Sequence, residues 1–115
     1  MKYEVLWPTK KVIERAKVVM DFWSKIADGT KDKISALPEA ERVDKTHNGM
    51  PARLRRLADA ARSQSWRASI LLREANDSVD INGPAGKLWT WTSEDMLWFY
   101  PELATSEENL LQLGV

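Results

Sequence analysis

Residues 51–76 read PARLRRLADAARSQSWRASILLREAN, and the division of this stretch decides the fold. Leu54, Leu57, Ala58 and Ala61 form one apolar stripe; Ala68, Leu71, Leu72 and Ala75 form a second. Between them lies the polar triplet Ser63-Gln64-Ser65. If the triplet is a turn and Ser65 caps a second helix starting at Trp66, the segment is a helix-turn-helix. If Leu54, Ala58, Ala61, Ser65, Ala68, Leu72 and Ala75 are one row at three- and four-residue spacing, a single helix about 39 Å long runs through. The break holds neither Gly nor Pro, which favours continuity. The length, well above that of an average helix, favours division.

Downstream, Val79 and Ile81 alternate with polar residues, Asn82-Gly83-Pro84-Ala85-Gly86 turns the chain, and Leu88, Trp89 and Trp91 come next. This pattern predicts a β-hairpin over 79–91. Thr92-Ser93-Glu94-Asp95 resembles a capping box with Asp in its last place, opening a short helix that stops at Pro101. Thr105-Ser106-Glu107-Glu108 is a fuller capping box before Leu110, Leu111 and Leu113. Upstream, residues 3–7 suit a short strand ended by Pro8. Thr9 is placed to cap a helix over 10–27, with Asp28-Gly29 closing it. Residues 37–41 read as a short helix with Pro38 in its first turn. Residues 44–49, with the Asn48-Gly49 turn signal, are expected to be exposed. The sum is one mainly helical α+β domain over 1–115, with four to five helices and one hairpin. If 51–76 divides, it is winged-helix-like.

The chain has 115 residues, with 17 Lys and Arg against 17 Asp and Glu. This balance hides an uneven distribution. Residues 1–44 carry net +1, residues 45–76 net +5, and residues 77–115 net −6. Arg53, Arg55, Arg56, Arg62, Arg67 and Arg73 all lie in the middle block. Arg binds phosphate or carboxylate through a planar fork of donors, so this block is a candidate contact surface.

Several chemistries find no support. No apolar run is long enough to cross a bilayer, the first residues hold no long apolar signal region, and there is no Cys. A cytoplasmic location is the expectation. Gly83-Pro84-Ala85-Gly86-Lys87 fails as a phosphate loop: Ile81 stands where the first Gly is needed and Leu88 where Ser or Thr must bind magnesium. His47 is the only histidine and sits in a polar turn with no second ligand for zinc. Glu94-Asp95 and Glu107-Glu108 stand at helix starts, where acids complement the backbone dipole. No metal set, nucleophile elbow or cofactor loop marks an enzyme.

Six Trp residues remain, at 7, 23, 66, 89, 91 and 98. Trp23 fits the apolar stripe of the first helix. Trp89 and Trp91 share one strand face. Trp66, Trp91 and Trp98 are candidate aromatic contacts, either within the core or on a partner surface.

These residues point to a non-enzymatic binding protein, with DNA binding and regulation as the leading reading and a protein-only role as its alternative. In the first, the chain binds DNA as a winged helix. Arg53, Arg55, Arg56 and Arg62 would meet phosphates, Arg67 and Arg73 would approach bases, and Lys87 would act from the wing. In the second, it is a protein-interaction module, inhibitor or accessory factor of the mobile-element type. It would use the Arg face and the acidic, Trp-bearing C-terminal third, and it could dock on a copy of itself.

Overall fold

The computed structural model describes residues 4–46, 49–83 and 86–103. Strand β1 (Glu4–Pro8) leads into helix α1 (Thr9–Ser35). A short helix α2 (Glu39–Arg42) connects to helix α3 (Met50–Asn82). Strand β2 (Leu88–Thr92), helix α4 (Ser93–Phe99) and a 3-10 turn (Pro101–Leu103) complete the order. Helices α1 and α3 lie side by side and antiparallel. Their mid-points are tied by Ser65, whose hydroxyl donates to the Met20 carbonyl at 3.2 Å and meets the Ser24 hydroxyl at 2.9 Å. The body is elongated, 56 × 33 × 18 Å.

The stretch 51–76 is therefore undivided: it lies inside α3, which runs about 50 Å. Ser63-Gln64-Ser65 is a polar layer within the helix, not a turn. Ser65 faces α1. Gln64, 8% exposed, accepts a hydrogen bond from the indole Nε1–H of Trp98. Both side chains find tertiary partners, so neither competes with the helical backbone as it would in a loop.

The seam is a three- and four-residue repeat on both helices. α1 buries Val12, Ala16, Val19, Trp23, Ala27 and Thr30. α3 buries Leu54, Leu57, Ala58, Ala61, Ala68 and Ala75. Small side chains recur on both sides of the seam, Ala16 and Ala27 on α1 and Ala58, Ala61, Ala68 and Ala75 on α3, which lets the helices approach closely and leaves room for Trp23, wholly buried at the level of Ser65. α1 also outruns its expected end at Gly29. Thr30 keeps the seam going: it is 1% exposed and its hydroxyl donates to the Ile26 and Ala27 carbonyls at 2.7 and 2.9 Å. Burial of Thr30 in the seam carries the helix past Gly29 despite the roughly 1 kcal/mol that a helical Gly costs.

The expected antiparallel pairing of two strands exists, but not as a 79–91 hairpin. Val79 and Ile81 belong to the last turn of α3, which ends at Gly83 with φ 87°. β2 pairs instead with β1, in the register Val5↔Trp91 and Trp7↔Trp89. A helix-turn-helix with a wing needs a turn at 63–65 and a hairpin at 79–91, and the described residues form neither.

The two-stranded ribbon and α4 close one end of the helix pair around an aromatic cluster. Trp7, Trp91 and Trp98 pack against Phe99 with ring centroids 4.6–4.9 Å apart, and Trp89 stacks on Trp91 at 5.9 Å. α4 begins with the expected capping box, in which Thr92 and Asp95 exchange side-chain and backbone hydrogen bonds. At the opposite end, residues 44–49 are not uniformly exposed: Gly49 is buried and Asp44 half-buried. Hydrogen bonds from the Thr46 backbone and side chain hold the Asp44 carboxyl below its ordinary pKa. His47 and the 105–113 helix lie outside the described residues.

Candidate functional site

The α4 helix and the aromatic cluster cover one flank of the helix pair. Among the described residues none covers the opposite flank, referred to below as the bare flank, and there the interhelical cleft widens into a groove of about 570 Å³. α1 supplies Met20, Asp21, Ser24, Ala27 and Asp28. α3 supplies Arg62, Ser65, Trp66 and Ser69. The heptad spacing that builds the seam also places these residues: Asp21 and Asp28 stand seven apart on α1, as do Arg62 and Ser69 on α3.

Trp66 dominates this flank. It stands in the middle of α3 and is 67% exposed. Exposing an indole of this size to water forgoes about 1.5–3 kcal/mol of burial energy typical of a large apolar side chain. Ser69 does not shield it; its hydroxyl donates back to the Trp66 carbonyl at 2.7 Å. Arg62 pairs with Asp59 at 3.1 Å, and Asp21 with Lys25 at 2.9 Å, each within one helix and in water. Such exposed pairs contribute little and exchange partners readily. The groove's charged groups can therefore turn to a ligand. Its floor is built of small side chains, with the Ser24 and Ser65 hydroxyls bonded to each other rather than to a carboxylate or imidazole base. That arrangement lacks an activated nucleophile. What it offers is surface: an indole, a guanidinium and two carboxylates over a shallow floor.

The other candidate residues divide among several places. Arg53, Arg55 and Arg56 are exposed in the first two turns of α3. Arg53 and Arg67 are heptad-equivalent on one flank of α3, and Arg55 and Arg62 on the other, so the six Arg do not form one face. Arg73 is exposed further along. Arg67 lies over the Trp98 ring, 4.4 Å from its centroid, and borders a smaller cleft with Glu74, Trp91 and Asp95. Lys87 is held over Trp89 at 4.1 Å. It lies at the Ser78 level of α3, about 35 Å along the helix from Arg55, too far to act with it as one patch. Trp98 is 7% exposed and belongs to the core. Trp91 is half-buried among Trp7, Trp89 and Phe99. Of the three candidate aromatics, only Trp66 faces solvent.

The α1 half of the groove is absent from the residues that the sequence singles out. Its signal lies in Glu14, Asp21 and Asp28, acids recurring every seven residues. Arg15 is a second residue of this kind. It donates to the Phe99 carbonyl at the end of α4, pairs with Glu102 at 2.7 Å and lies over the Tyr100 ring at 4.1 Å, pinning α4 to α1. No helix among the described residues is long and apolar enough to cross a membrane. Searched against protein-family models, curated proteins and solved structures, the chain gives no match in any of the three.

Proposed function

We propose that the chain is a non-enzymatic protein-interaction module that engages its partner through the bare flank of the α1–α3 pair, with Trp66 as the anchor. The observation that carries this reading is the exposure of Trp66 beside a groove that contains both signs of charge. Trp and Arg are among the residues most enriched where binding energy concentrates, and Arg62 and Trp66 stand four residues apart on one side of a rigid helix. A rigid helical surface also loses little entropy on binding. Photo-crosslinking tests it. A benzophenone side chain introduced at position 66 should trap a defined partner, while the same group at Ile81, exposed on the last turn of α3, should not. Equal yields from both positions, or none from position 66, would refute the reading.

A second reading, nucleic-acid binding, draws on Arg53, Arg55 and Arg56. They stand in the first turns of α3, where the helix already carries positive partial charge and its first turn holds no acid. Placing cations there opposes the helix dipole, a local cost consistent with a phosphate-contacting role. On this reading the contact is to the backbone of DNA or RNA and not through a recognition helix and wing. Affinity for mixed-sequence duplex should then fall at least tenfold between about 50 and 200 mM salt. Arg55→Glu with Arg56→Glu should abolish it.

A further inference from the structure

We propose that the occupant of the bare flank is a second copy of this chain, joined face to face as a four-helix bundle whose two-fold axis runs along the helix pair. This inference rests on the reading of that flank as a protein-interaction surface. Three observations lead to it.

The first is the charge arrangement. Across the groove the acids Asp21 and Asp28 sit on α1 and the cation Arg62 sits on α3. A two-fold axis parallel to the helices places α1 of one copy on α3 of the other and keeps every residue at its own level. The Ser65–Met20 and Ser65–Ser24 contacts set those levels within the chain. They put Arg62 between Asp21 and Asp28. Each copy's Arg62 therefore meets the other's two acids, twice by symmetry. The alternative two-fold axis, across the helices, sets α1 on α1 and acid against acid. A self-docking patch must be complementary to itself under its symmetry operation, and the groove's Asp21, Asp28 and Arg62 are so for the axis along the helices.

The second observation is the floor. Ser24, Ala27, Ser65 and Ser69 are small, leaving space for the indole of the opposing Trp66, which arrives at the level of Met20 and Ser24. The third is area. α1 is about 40 Å long and a pair of helices about 20 Å wide, so the flank offers about 800 Å² per copy, the size of a standard stable interface.

Charge exchange tests this in the full-length chain. At about 50 µM, well above the dissociation constants common for interfaces of this size, the native chain should sediment at twice its monomer mass. Arg62→Glu and the double variant Asp21→Lys, Asp28→Lys should each weaken the dimer at least tenfold, because each places like charges together at both contacts. Mixing the two variants should restore dimers, and native mass spectrometry should show them to be heterodimers in excess over either homodimer. Trp66→Ala should weaken the dimer without altering the helical circular dichroism. A dimer indifferent to these changes would overturn the proposal. So would a monomer whose position 66 crosslinks a different protein, although the interaction reading would then stand. A monomer with no crosslink from position 66 would overturn both.

Discussion

Thr9 carries more than its place at the start of a helix suggests. Its side chain is fully buried, donates to the Lys87 carbonyl at 2.7 Å and accepts from the Trp89 indole at 3.0 Å. Pro8 occupies the N-cap position and makes no side-chain cap. The local pattern makes Thr9 a cap, because a hydroxyl before an apolar periodic run usually is one. Its true partners lie some eighty residues away, where no local pattern reaches. Thr9→Val keeps the shape and strands both partners, so it should cost about 1–3 kcal/mol by urea denaturation. Trp66→Ala, by contrast, should leave the stability of the monomer within about 0.5 kcal/mol, as expected for an exposed residue.

The elements are legible where the signal is periodic and hidden where it is not. Along α3 the 3–4 spacing is visible from Leu54 to Ala75, and the structure keeps to it. The polar triplet misleads because a hydroxyl or amide reads as a turn former until its tertiary partner is known. The 79–91 pattern misleads for a related reason. Val79 and Ile81 also fit the last turn of a helix, and alternation over so few residues cannot separate the two periods. The Gly83 turn signal is sound, and the Thr92 capping box is correctly placed. Gly29 shows the converse, a stop signal that the element overrides. It lies within α1, its φ is not positive, and nothing stands within 4 Å of where a Cβ would be. Gly29→Ala should therefore raise stability by about 0.5–1 kcal/mol in the same urea titration.

At the scale of the whole molecule, sequence separation governs how the parts depend on one another. The α1–α3 hairpin joins segments linked through α2, whereas the ribbon pairs residues 4–8 with 88–92. The charge blocks are legible as blocks, but not their distribution around the helices, which depends on which side of α3 faces α1. The radius of gyration, 17.1 Å, exceeds the roughly 13 Å of a compact chain of about this length. Docking along the bare flank would thicken the body without lengthening it, so small-angle scattering should show a longest dimension unchanged between dilute and concentrated samples. The stacked Trp89–Trp91 pair has an optical consequence. Two indoles 5.9 Å apart with planes 11° from parallel couple their electronic transitions, whereas Trp66 stands apart in water. The coupled pair should give a split band in the circular dichroism that reports only on the ribbon end, and a solvent-exposed Trp66 should emit at long wavelength. The protein thus contains two intrinsic spectroscopic reporters, one for the integrity of its closed end and one for occupancy of its open flank.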